Sequence, residues 1–169
     1  MPEVIEDPNV YKEKGNEAFK RSEWDEAITF YTKAIKLGEK HKELPVYYKN
    51  RAAAYLKIEF FERAYDDCTK SLEFQQNDQK ALFRRVQALE ALERYEEAYR
   101  DARTIWNNDP SFKAIQPVLE RLHKVVQDRV AQNAQTSTKV QKMFEIAFDV
   151  GADKSKRESA MSNLVVLAR

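Results

Sequence analysis

Five polar residues stand out by type and spacing. Lys12 and Asn16 are four apart, Lys80 and Arg84 are four apart, and Asn50 lies within Tyr47-Tyr-Lys-Asn-Arg51. On a helix, residues four apart share one face. Three cations and two amides converging on one spot would suit a peptide C-terminus that ends in aspartate, because that end carries two carboxylates. Lysine brings a point charge with three donors, and arginine a planar fork matched to carboxylate. The asparagine amides donate to oxygen without adding charge. Hydrogen bonds to charged groups contribute more than neutral ones. An internal peptide segment has no terminal carboxylate and would lose that contribution. A single Lys, Arg or Asn on a helix is ordinarily solvated surface, so the reading depends on elements that bring the five together.

An internal repeat supplies those elements. Trp24-Asp-Glu-Ala27 with Tyr31, Phe61-Glu-Arg-Ala64 with Cys68, and Tyr95-Glu-Glu-Ala98 with Ala102 share one pattern, and their anchor alanines are spaced by 37 and 34 residues. This resembles the tetratricopeptide (TPR) repeat, whose period is about 34 residues. The three extra residues fit a longer loop at Gly38 to Pro45. Each unit reads as two short helices; in the first these are residues 8–22 and 24–38. Ala27, Ile28, Tyr31, Ala34 and Ile35 recur at the spacing of one helix face. Position eight of the motif is Gly15, then Ala52, then Val86, and the larger valine is expected to loosen or shift the third helix pair. Asp109-Pro110 closes the array, since proline cannot continue a helix.

The expected organisation is all-α. Residues 1–7 are a tail, and residues 8–110 are three helix-turn-helix repeats (8–42, 43–76 and 78–110). Residues 111–132 are a capping helix with Ser111 at its start, Ile115, Val118, Leu119, Leu122, Val125 and Val126 on one face, and a possible kink at Pro117. A solenoid needs such a helix to cover its last apolar face. The polar stretch 131–139 reads as a linker or a helical continuation. Residues 133–169 then hold that linker and the first helices of a following array, the alternative being an ordinary docked C-terminal helix pair: one short helix ends in Phe144, Ile146, Ala147 and Phe148, a charged turn spans Gly151 to Arg157, and a strongly apolar stretch ends at Arg169.

Composition narrows the function classes. A net charge of +1 gives no field favouring nucleic acid or an anionic membrane. No apolar run approaches the roughly 18 residues of a membrane span. The acidic start, Met1 to Asp7, lacks a signal-peptide core, and the single Cys68 suits a reducing compartment, so a cytoplasmic protein is expected. His41 and His123 are far apart, and Cys68 occupies a small packing position. With no phosphate loop, zinc spacing or elbow serine, neither enzyme activity nor a cofactor or metal is expected.

The five polar residues match, one by one, the clamp positions of TPR co-chaperones that carry a dicarboxylate clamp, and Lys12-Glu-Lys-Gly-Asn16 is itself characteristic of them. That resemblance implies a right-handed superhelical solenoid. It also implies a partner: the Glu-Glu-Val-Asp tail of heat shock protein 90, and by the same ending that of heat shock protein 70. Phe19, Ala53, Leu56 and Lys57 would then border the pocket for the penultimate valine and the residues before it. Lys80 to Leu92, the segment after the cap, and Met161 to Arg169 resemble the N-terminal part of UCS-type myosin chaperones, the Unc-forty-five family. This second resemblance implies a following armadillo-like array, and a myosin client handled by domains absent from this chain during muscle development. The competing reading is a TPR scaffold that binds an internal peptide or self-associates. Amidating the ligand's C-terminus would leave a scaffold's affinity unchanged and weaken a clamp.

Overall fold

The computed structural model describes residues 7–149, 151 and 153–167. The expected tail and the last two residues lie outside these, apart from Asp7. Among the described residues there are eight helices and no strand: α1 (Pro8–Lys20), α2 (Trp24–Leu37), α3 (Leu44–Lys57), α4 (Phe61–Phe74), α5 (Gln79–Ala91), α6 (Tyr95–Asn108), α7 (Ile115–Phe148) and α8 (Lys154–Leu167). They fall into two compact units divided after His123.

In the first unit, local chemistry sets the helix ends. The Asp7 carboxylate accepts from Asn9 N–H at 2.9 Å beside Pro8 at the first helical position, and Asp78 accepts from Ala81 N–H at 2.8 Å. The turn inside each repeat places a non-glycine residue in the left-handed region, at Ser22, Glu59 and Glu93. Each turn is closed by a bond back across the helix end: Glu23 N–H to Ala18 O, Phe60 N–H to Tyr55 O, and Arg94 N–H to Leu89 O, at 2.9–3.0 Å.

Successive helices pack on one another from α1 to α6, and α3 also touches α1 and α5. The first helices of the three pairs therefore lie side by side, with α3 between α1 and α5, and share one face. Ala27, Ala64 and Ala98 are fully buried, which lets the backbones approach closely. Val86 does not loosen the third pair. It is fully buried in the cluster with Leu82, Leu89, Ala102 and Ile105, and the small Ala102 sits at the register of Tyr31 and Cys68. Two repeats add a partly buried fork pair between their helices. Arg51 grips both Asp67 oxygens at 2.7 and 2.8 Å, and Arg85 grips both Asp101 oxygens at 2.6 and 2.8 Å.

The capping helix differs from expectation. It starts at Ile115, not Ser111, because Asp109 Oδ1 accepts from Ser111 N–H at 3.0 Å and holds that residue in a turn. Pro117 then falls in the first helical turn, where its missing N–H has no partner to lose, so it gives no cause for a kink. Ile115 and Leu122 are fully buried in the core of the third repeat.

No linker begins at residue 133: α7 is continuous through Phe148. The stretch 131–139 has no Gly or Pro, and its threonines stay helix-compatible. Thr136 and Thr138 donate to the Gln132 and Ala134 carbonyls at 3.0 Å. In the second unit, the rest of α7 and α8 bury Ala147 and Ala160 and leave Phe144, Phe148, Val165 and Val166 exposed. The start of α8 at Lys154 makes the charged turn shorter than its sequence implied.

Candidate peptide-binding groove

The first helix of each pair contributes to one groove. Asn16 and Phe19 come from α1, Asn50 and Ala53 from α3, and Arg84 from α5. Together with Glu13, Lys20 and Tyr31 they line a cavity of about 290 Å³. A second cavity, of about 370 Å³, shares Phe19, Ala53 and Arg84 and adds Leu56, Lys57, Phe61 and Gln87. Three of the five expected clamp residues thus line one space, and all four expected pocket residues line the next. Arg84 stands at the junction.

Lys12 and Lys80 line neither cavity. Lys12 is one turn before Asn16 on α1, and its ammonium is drawn to carboxylates of this chain: Glu43 Oε2 at 2.7 Å and Glu13 Oε1 at 3.2 Å. The Glu43 hydrogen bond holds the Lys12 ammonium above its usual range. Lys80 is one turn before Arg84 on α5, and its side chain is exposed.

The amides are oriented by a short network. Asn16 Oδ1 accepts from the Tyr31 hydroxyl at 2.8 Å and from Asn50 Nδ2 at 3.2 Å, while Asn16 Nδ2 donates to Glu13 Oε2 at 3.1 Å. Arg84 donates to the Lys49 carbonyl at 2.7 Å, which fixes the guanidinium across the α3–α5 contact. Burial lowers the Arg84 pKa, yet arginine stays charged at any physiological pH. Burial also pushes the Tyr31 phenol up to about 12, so it remains a donor. A half-buried cation beside oriented amides, next to a cavity bordered by Phe19, Leu56 and Phe61, can hold an anionic group together with an apolar side chain.

Sequence reasoning missed Tyr31, Glu13 and Glu43. The repeat alignment offered a signal for Tyr31, since its register holds Cys68 and Ala102 in the other two repeats. Cys68 is fully buried, and burial pushes its thiol up to about 12, so a thiolate is absent at neutral pH. His41 Nδ1 meets the Tyr47 hydroxyl at 2.9 Å, and His123 Nδ1 meets the Tyr99 hydroxyl at 3.1 Å. Among the described residues no cluster could hold a metal ion, and no helix is long and apolar enough to cross a membrane.

Three helix pairs with a shared small-residue register and a polar groove along their first helices define a tetratricopeptide-repeat protein. No family model matches the sequence. Protein unc-45 homolog B of Xenopus laevis is 41% identical over 165 residues, covering 98% of this chain and 18% of that protein. The myosin chaperone UNC-45 from C. elegans, solved in complex with a Hsp90 peptide, is 39% identical with a TM-score of 0.70, over 96% of this chain and 18% of that one. The first TPR of Spaghetti (RPAP3), bound to the HSP90 peptide SRMEEVD, is 32% identical with a TM-score of 0.66, over 71% of this chain and 93% of that one. The chain belongs to the UNC-45 family. It spans under a fifth of the length of the unc-45 relatives it matches.

Proposed function

We propose that this chain is a co-chaperone adaptor that holds the C-terminal Glu-Glu-Val-Asp tail of heat shock protein 90 and brings that chaperone to a myosin client. The tail of heat shock protein 70, with the same last four residues, fits the same groove. Lys12, Asn16, Asn50, Lys80 and Arg84 clamp the two carboxylates of the final aspartate. Phe19, Ala53, Leu56 and Lys57 border the penultimate valine and the residues before it. The observation that carries this reading is the meeting of Asn16, Asn50 and Arg84, one from each repeat, around a single cavity. The peptides bound to C. elegans UNC-45 and to RPAP3 support it.

The rest of the reading follows from the same assignment. Residues 8–110 are the docking repeats, the first turns of α7 from Ile115 are their cap, and the helices that follow are the opening of a further helical, armadillo-like array. The client is handled by domains outside this chain. The adaptor works in the cytoplasm, without a catalytic centre or cofactor. Short tails in such grooves bind near micromolar, about −8 kcal/mol.

The test is calorimetric titration of Met-Glu-Glu-Val-Asp as free acid and as C-terminal amide. The free acid is expected to bind more than about tenfold tighter, since the amide removes a charge-assisted hydrogen-bonding group. Equal affinities would mean a groove that reads an internal segment.

A further inference from the structure

Lys12 is engaged by a carboxylate supplied by the repeat that follows it. Lys49 occupies the same repeat position one unit later and makes the matching contact, from its Nζ to Asp78 Oδ2 at 2.5 Å. Glu43 and Asp78 each stand immediately before the first helix of the next repeat, α3 and α5. The two acids hold the same place, at the residue before a first helix, but they are held differently.

Asp78 is fixed from several directions. Its side chain is 14% exposed, and its second oxygen caps α5 by accepting from Ala81 N–H at 2.8 Å. Glu43 is 32% exposed and makes no capping bond to α3. Among the described residues, Lys12 is the one side chain its carboxylate hydrogen-bonds. Glutamate also has one more rotatable bond than aspartate. The Lys49–Asp78 pair is therefore a permanent staple, while the Glu43 carboxylate can leave Lys12 without uncapping a helix.

We propose that Glu43 is an internal competitor for the ligand, occupying the Lys12 ammonium as the carboxylate of a docked chain end would and setting how tightly that end is held. The inference rests on the carboxylate clamp proposed above. Glu43 and Glu13 together offset the Lys12 charge and take up two of its three donors. An incoming carboxylate either displaces Glu43 or sits beside it against like-charge repulsion, and both routes weaken binding. The groove keeps Lys12 placed through this pair, and its affinity is lower than the same five residues would otherwise give.

The experiment is calorimetric titration of the free-acid peptide Met-Glu-Glu-Val-Asp into the wild-type chain, Glu43→Gln and Glu39→Gln. Glutamine keeps the length and an acceptor while removing the charge. Glu39→Gln removes an equal charge from the same loop, on an exposed residue. Glu43→Gln is expected to tighten binding by about three- to ten-fold with a steeper loss of affinity on adding salt, while Glu39→Gln changes it less than about twofold. Unchanged or weaker binding in Glu43→Gln, with helicity by circular dichroism intact, would overturn the proposal and make Glu43 a residue that positions Lys12. An equal gain in both variants would overturn it in favour of a general charge effect. If the wild-type chain does not bind the free acid at all, the clamp reading itself has failed, and this inference falls with it.

Discussion

The ring of Tyr31 fills the space that a side chain at position 15 would take: a Cβ on Gly15 would lie 2.5 Å from Tyr31 Cε1. The same two registers hold Ala52 with Cys68 in the second repeat and Val86 with Ala102 in the third. Bulk lost from one helix is made up on the other, so each pair fills its interior by a different division of volume. Only the first division puts a hydroxyl at the groove, where it meets Asn16 Oδ1 at 2.8 Å.

Two substitutions separate the packing role of this pair from its polar role. Gly15→Ala forces Tyr31 aside and is expected to lower stability by about 1–3 kcal/mol, as overpacking does, measured by urea unfolding. Tyr31→Phe keeps the ring and is expected to weaken free-acid peptide binding by about 0.5–1.5 kcal/mol through the lost hydrogen bond. Unchanged affinity in Tyr31→Phe would show that Asn50 alone suffices to orient Asn16.

Lys80 and Arg84 should behave differently despite their shared helix face. Lys80→Ala removes an exposed cation and is expected to cost about 1.5–3 kcal/mol of peptide affinity with the melting temperature unchanged. Arg84→Ala should lose affinity in the same range and stability as well, because the Lys49 carbonyl loses its 2.7 Å donor. Calorimetry paired with thermal unfolding checks both. A Lys80→Ala variant of undiminished affinity would remove that residue from the clamp.

The partly buried fork pairs predict an uneven sensitivity along the repeats. Arg51→Ala leaves the Asp67 carboxylate without its bidentate partner and is expected to destabilise by about 3–5 kcal/mol. The equivalent residue of the first repeat, Lys14, has no such acid: at the register of Asp67 stands Phe30, and the Lys14 ammonium lies over the Tyr11 and Phe30 rings at 5.2 and 6.0 Å. Lys14→Ala is expected to cost about 1 kcal/mol or less. Similar losses in the two variants would contradict the assignment.

Alkaline pH should weaken the fold through two buried groups. Burial raises the Cys68 thiol from 9.0 and the Tyr31 phenol from 10.0, each to about 12. Above the ordinary values the unfolded chain releases these protons while the folded chain keeps them, so unfolding binds fewer protons and stability falls with rising pH. The contribution is intact below about pH 9 for the thiol and about pH 10 for the phenol, and it is lost as pH climbs towards 12. Urea unfolding of the wild type and Cys68→Ala between about pH 8 and about pH 10.5 measures it. The variant is expected to show the shallower decline, and parallel curves would deny the thiol its share.

The sequence alone determined the repeat and the helix type. Alanine spacing, the breaks at Gly38 and Asp109-Pro110, and the absence of helix breakers act locally, and local rules can be read from neighbours in the chain. The same rules left 131–139 undecided, since polarity without Gly or Pro is compatible with either helix or linker, and tertiary structure resolved it as helix. Asn16, Asn50 and Arg84 could be picked out by type and phase, but their meeting around one cavity depended on α3 touching both α1 and α5. The state of Lys12 was wholly a tertiary matter. Its partner Glu43 lies 31 residues away, and an ion pair of that reach is set by how one repeat rests on the next, which no local pattern encodes.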